Sequence, residues 1–544
     1  MSIDLGLPSL DPTQPLEFAD ARGFKDWLKL VPMINVRQAH AEILETLDRL
    51  NRSPVLPIER LKMLELLREP ISLLQEESAK RYISRPFPLA DNENAIWQAN
   101  TQLWLAMSVG YRHAWAAARQ NEPGIAEHQA LCGQRALRYV SLAIREHHLA
   151  YRAIADEYWN DLFRLYRAAA ETDVAIKVVK DSLNRQTELS SCTAAFLQAL
   201  LLAASNPSGM TVRQVLWTDR LLDRWSNQAT LSATLPEALD KGVLALDLDH
   251  PGELRRFDPA PEGPGWRYLD IDSIAKSIKK RIKYLRAGEP PAQLGLGEEY
   301  ATATAENNLI GLYQEWCDVP VERALPRRPV RPNTPPAQLA LGINGAHFAV
   351  HGDVFVQPPN ESEIHGRGIA DFHLFGGRAH HLTSSQARAS DSAYDIESWQ
   401  IDNESALGFK LTRHGAGQRI HHHQILAVRP RPDQPFVAGS VRWLREGHRG
   451  DIEIGVRILP GVPKPVAVRA TGINNTNHQF TQALLLPSMP ALQTQPSLLL
   501  PSNWFKPGRI VEVHIDDHNC KVRFEQMVER GVDYERVAFS GELK

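Results

Sequence analysis

The chain has 544 residues and a formal charge of −3, from 61 basic and 64 acidic side chains. Such a length exceeds what one hydrophobic core sustains, so two or three domains are expected. The near balance of charge excludes a global field that would gather nucleic acid polymers or an anionic membrane, so any anion site must be local.

The first twenty residues, acidic and proline-bearing, lack the basic and apolar regions of a signal peptide. From about residue 20 to 235 the apolar period is helical. Val36, Ala39, Ile43, Leu47 and Leu50 mark one stripe. Ile58, Leu61, Leu64 and Leu67 mark another, which follows Pro57 and which Pro70 is expected to interrupt. Further helices are expected at 94–118, 126–149, 150–170, 173–184, 189–204 and 211–228. Trp159, Leu162, Phe163 and Tyr166 read as a packing stripe rather than a cofactor box. The most apolar segment, CTAAFLQALLLAAS, is too short to span a bilayer and contains Gln198. Around 241–272 two strands should flank a Pro/Gly-rich loop, after which helices resume. Lys279, Lys280, Arg281, Lys283 and Arg286 make a basic helix face, expected to be solvated.

At 319 the composition changes. Six prolines between Pro320 and Pro336, with Arg323, Arg327, Arg328 and Arg331, rule out helix or central strand and indicate a semi-extended linker. Beyond it short strands alternate with Gly-, Pro- and Asn-rich turns, the pattern of an antiparallel barrel or sandwich. The predicted organisation is multidomain α + β. An all-α bundle or solenoid over 1–318 carries a small β insertion near 241–272. A linker at 319–335 leads to a β-barrel at 336–470, with an insertion near 345–397, and an extra β subdomain occupies 471–544.

Residues 399–411, WQIDNESALGFKL, read as a half-buried hairpin with Asn403, Ser405 and Gly408 at its bend. Asn and Ser would bond their own backbone there, and Gly would supply a positive φ. The order of strand, N-x-S-x-x-G, two strands, G-x-V-R-W and a closing I-G-V resembles the PilZ family of small bacterial barrels. That family also has an R-x-x-x-R signature before its first strand. The linker offers it as Arg323/Arg327 and as Arg327/Arg331, the latter nearest the candidate first strand at 338–343.

The resemblance implies a cyclic di-GMP receptor. Its ligand site would draw on Arg327, Arg331, Asn403, Ser405 and Gly408, with Arg323 and Arg328 beside them. The chemistry agrees: arginine grips a phosphate or the O6/N7 edge of guanine through two parallel N–H groups, and asparagine and serine add hydrogen bonds. The 72 positions from Arg331 to Asn403 are a longer separation than is usual in the family, which leaves a second frame built on Arg378 or Arg388. The ligand-free alternative is an interaction scaffold with a degenerate barrel.

Other motifs carry little. His421 and His423 could share an ion, but HHH is expected to be an exposed turn, and His365, His373, His380 and His381 lack a ligand spacing. Cys132, Cys192, Cys317 and Cys520 lie far apart and read as small buried groups in a reducing compartment. No catalytic motif and no cofactor is expected. The reading is a cytoplasmic receptor whose helical domain serves an unidentified protein partner, with no membrane and no nucleic acid polymer bound.

Overall fold

The computed structural model describes residues 3–11, 13, 16–235, 242–318, 328–330, 334–358, 394–471 and 479–542. The chain divides into two compact units, Met1–Arg85 with Leu89–Glu322, and Pro86–Pro88 with Arg323–Lys544.

The first unit is mostly helical. Its opening helices are α1 (Ala21–Leu30), α2 (Val36–Arg52) and α3 (Pro57–Ala79). Then come α4 (Asp91–Arg119), α5 (Gln129–Leu149) and α6 (Asp156–Glu171). Side chains of Asp20 and Asn35 cap α1 and α2, accepting from backbone N–H groups of the first turn. Contrary to expectation, α3 runs straight through Pro70. Leu67, Ile71 and Leu74 are all buried around it, and their burial offsets the roughly 3 kcal/mol that an interior proline costs.

The expected helix at 173–184 is instead a turn with a strand pair, β1 (Val179–Lys180) and β2 (Leu189–Ser190). The turn delivers Asp181 to a buried arginine pair: it contacts Arg68, and lies 3.5 Å from Arg135. Glu65 meets the same two guanidiniums at 3.3 and 3.0 Å. Beyond it, α7 (Cys192–Ala203) is buried on every side, and α8 (Val212–Trp225) follows. The aromatic stripe of α6 packs on α7, where Tyr166 stacks on Phe196 at 4.1 Å.

A four-stranded sheet, rather than two strands, forms from β3 (Thr230–Ser232), β4 (Val243–Asp247), β5 (Arg255–Phe257) and β6 (Trp266–Asp270), in the order β3-β6-β4-β5. Helices α9 (Asp272–Arg286) and α10 (Thr302–Cys317) complete the unit. The basic face of α9 is solvated except for Arg281, which lies 5.8 Å over the ring of Trp225. Among the described residues no helix is long and apolar enough to cross a membrane.

The second unit holds two antiparallel barrels. Its elements begin with β7 (Arg328–Pro329), β8 (Ala337–Leu341), α11 (Gly342–His351), β9 (Ile396–Ser405) and β10 (Gly408–Arg413). They continue with β11 (Ile425–Arg429), β12 (Val437–Glu446) and β13 (Ile452–Ile458). Strands β10-β13-β12-β11-β8-β9 close on themselves through the β9–β10 pair, and β7 adds to β9 at the edge.

The second barrel is formed by β14 (Lys464–Ala470), β15 (Thr481–Leu486), β16 (Ser497–Pro501), β17 (Ile510–Ile515), β18 (His518–Arg530) and β19 (Tyr534–Ser540). It closes in the order β14-β15-β16-β19-β18-β17. Strand β14, assigned from sequence to the first barrel, pairs with β15 and β17 in this one.

The continuous leucine runs of β15 and β16 are explained by two cores. Ala483, Leu485, Leu498 and Leu500 point into the second barrel, while Leu484, Leu486 and Leu499 join a core with residues of the first. A strand buried on both faces loses its alternation. Ile343, Ala346 and Ala349 of α11 enter that shared core, so the start of the expected insertion is a helix wedged between barrels.

Candidate functional site

Strands β9 and β10 meet in a tight hairpin around Ala406 and Leu407. Ser405 pairs with Gly408 across it and donates its hydroxyl to the Gly408 carbonyl oxygen at 3.2 Å, the expected turn chemistry. Asn403 lies two residues inside β9, opposite Lys410, rather than at the bend.

Gly408 is required for a reason other than a left-handed turn, since its φ is not in the positive range. A Cβ there would lie 2.1 Å from the carbonyl oxygen of Val456 on β13. The glycine therefore serves the close approach of two strands.

Register extends the hairpin across the sheet. Ser405, Gly408, Arg457 and Ser440 form one row over β9, β10, β13 and β12, and Asn403, Lys410, Gly455 and Trp443 form the next. Residues opposite one another share a face. Phe409, Leu411, Ile454 and Val456, which alternate with these rows, are core residues, so both rows face outward.

The Trp443 indole nitrogen stands 1.8 Å from where a Cβ on Gly455 would be, so the half-buried ring lies over bare backbone. Lys410 bridges Asp402 and Glu453, each at 3.0 Å. Burial opposes its charge, but those two carboxylates outweigh it and raise the Lys410 pKa. Glu453 behaves in the complementary way: burial is overcome by Lys410 and Arg445, and its pKa is lowered.

At the far end of the first row the second barrel intervenes. Glu529 of β18 contacts Arg457, accepts from Arg442 at 3.4 Å, and accepts the Tyr534 hydroxyl proton at 2.9 Å. Burial lowers the Arg442 pKa, and the like charge of Arg457 adds to this. The HHH stretch is not an exposed turn. Its half-buried residues receive the β18–β19 turn, with Val532 N donating to the His423 carbonyl oxygen at 3.1 Å.

Of the linker arginines, Arg328 falls on β7 opposite Glu404, and Pro329 pairs with Asn403. By register Arg328 shares the face of Glu404, not that of Asn403 and Ser405, and Glu404 is already held by Arg431 at 2.9 Å. Arg323, Arg327 and Arg331 lie outside the described residues, as do Arg378 and Arg388 and the four insertion histidines His365, His373, His380 and His381. Among the described residues no group of three or more His, Cys, Asp or Glu side chains is disposed to hold a metal ion. Cys132 and Cys192 are buried, and burial pushes both thiols up to about 12. The residues that the sequence left unassigned here are Lys410, Trp443 and Arg457. For Lys410 and Arg457 the only signal was the alternation of their strands, whereas Trp443 closes the G-x-V-R-W motif.

Residues 22–237 match the family described as cyclic-di-GMP receptor FimW, N-terminal domain, and residues 466–542 match the FimW C-terminal beta-barrel domain. The chain thus carries a match to a FimW N-terminal domain in its helical unit and to a FimW C-terminal barrel in its second barrel. The second match covers the second barrel, and the first barrel lies between the two matches. The chain is also similar to the cyclic-di-GMP receptor FimW of Pseudomonas aeruginosa, at 22% identity over 545 aligned positions that cover 93% of this chain and 88% of that one. No solved structure matches it.

Proposed function

We propose that the chain is a cyclic di-GMP receptor, a binding protein of the cytoplasm rather than an enzyme, with its ligand on the outer face of the first barrel. Asn403 and Ser405 offer an amide and a hydroxyl, Lys410 a cation, and Trp443 a plane on which a purine stacks. Arg327 and Arg331 supply the bidentate grip on guanine or phosphate that a dinucleotide with two phosphodiesters needs.

The observation that carries the location is the pairing of Pro329 with Asn403. It anchors the linker beside the hairpin within two residues of both arginines. The FimW relative, itself named a cyclic-di-GMP receptor, supports the identity of the ligand. Binding would draw Arg327 and Arg331 onto the hairpin and transmit that ordering along the linker to the helical unit, which would present a surface to a protein partner.

Calorimetric titration of the full chain tests this. Cyclic di-GMP should bind selectively over GTP, and Ser405→Ala and Arg327→Ala should each weaken binding by about 10- to 100-fold, the loss of one hydrogen bond to a charged group. An absence of binding by the wild-type chain would favour the ligand-free scaffold.

A further inference from the structure

The outward row Ser405–Gly408–Arg457 ends on a carboxylate that belongs to the other barrel. Arg457 stands directly opposite Gly408, which in turn stands opposite Ser405. Two strand spacings, about 10 Å, separate the serine from the arginine, with the Gly408 backbone and the closely approaching Val456 carbonyl oxygen, but no side chain, at Gly408 between them. That gap is a shelf with a hydroxyl at one side and a guanidinium at the other.

The guanidinium is engaged elsewhere. Arg457 and Arg442 both turn to Glu529, each arginine side chain remaining 41% exposed. One carboxylate thus serves two adjacent arginines, and Arg536 of β19 lies close enough that the charge of Arg457 helps to lower its pKa, after burial. Cations outnumber their counter-ion at this end of the row, and both arginines of the pair remain accessible to a ligand.

We propose that Arg457 is a phosphate-binding residue of the ligand site and that Glu529 competes with the ligand phosphate for it. This rests on the cyclic di-GMP reading above. A phosphodiester seated beside Gly408 takes over the Ser405 hydroxyl from the Gly408 carbonyl oxygen and draws Arg457 away from Glu529. Glu529 keeps its bonds to Arg442 and Tyr534, so the second barrel stays docked while its grip on the first is loosened. The second barrel therefore sets the affinity of a site it does not itself form.

The test titrates cyclic di-GMP into full-length wild type, Ser405→Ala, Arg457→Ala and Glu529→Gln. Arg457→Ala should bind at least about tenfold more weakly, as expected when a charge-assisted bond is lost. Glu529→Gln should bind about threefold or more tightly, because a competing charge has gone. A gain in affinity cannot come from misfolding, so the second variant guards against a damaged barrel in the first. Binding by Arg457→Ala and Glu529→Gln within twofold of wild type, while Ser405→Ala is impaired, would overturn the proposal and leave the receptor reading intact. Failure of wild type itself to bind would remove both.

Discussion

Alanine at Gly408 is expected to destabilise the first barrel by about 3 kcal/mol, a large part of the 5–15 kcal/mol that keeps a typical domain folded. The added methyl would meet the Val456 carbonyl oxygen at 2.1 Å and its carbon at 3.1 Å. Both are backbone atoms of a paired strand, so no side chain can rotate to make room. Relief requires β10 to move from β13, and the pairs Gly408–Arg457 and Phe409–Val456 would open first.

The same substitution elsewhere provides the control. Gly311 lies inside α10, has no positive φ, and has no heavy atom within 4 Å of the place a methyl would take. Alanine there should stabilise by about 1 kcal/mol through helix propensity alone. Thermal denaturation of the two variants should therefore shift in opposite directions. Equal, small shifts would show that the β10–β13 approach is looser than the geometry requires.

The second large effect is expected at Asp181 in the helical unit. Its carboxylate is 2% exposed and is shared between Arg68 and Arg135, themselves 5% and 2% exposed. Burial alone would raise its pKa, but Arg135, Arg68 and Arg138 together hold it down at about 2. Asp181→Ala strands two buried cations on Glu65 alone and should cost about 3 kcal/mol, near the lower end for a broken buried pair because Glu65 remains.

The pH dependence has a definite sign. A carboxyl whose folded pKa lies below its unfolded value of 3.8 contributes its stabilisation above that value and loses it as pH falls toward 2. For Asp181 this is worth about 2 kcal/mol. Urea unfolding of wild type and Asp181→Ala should accordingly differ most at neutral pH and converge toward pH 2. A gap that widened on acidification would contradict the assignment.

These two sites also mark the limits of what the sequence conveys. The barrels were legible because inward residues such as Leu411, Ile454 and Val456 alternate with outward ones, and the hairpin because N-x-S-x-x-G sits between two such runs. Pro70 misled because its cost is local, whereas the burial that offsets it comes from helices distant in sequence. The segment 173–184 misled for a similar reason: its conformation answers to Arg68 and Arg135, which lie on α3 and α5.

The second β subdomain was legible, but its start was placed one strand late, since β14 pairs with β15 and β17, and the leucine runs of β15 and β16, whose second face packs toward the first barrel, blur the boundary. Arg457 was invisible as a site residue because its position follows from β10 lying between β9 and β13, which no local pattern encodes. Gly408 was expected to supply a positive φ, but its φ is not in that range and the close approach of β13 demands the glycine instead. A glycine in a sequence signals missing bulk without saying whether a turn, a ligand or a neighbouring strand demands it.

Cyclic di-GMP seated on the outer face of the first barrel should slow amide exchange there. Hydrogen–deuterium exchange of the full chain with and without the ligand tests it most directly. Protection is predicted in peptides covering β9–β10, Ile396–Arg413, and β13, Ile452–Ile458, together with the linker around Arg328. Protection confined to the helical unit, with these strands exchanging at unchanged rates, would contradict it.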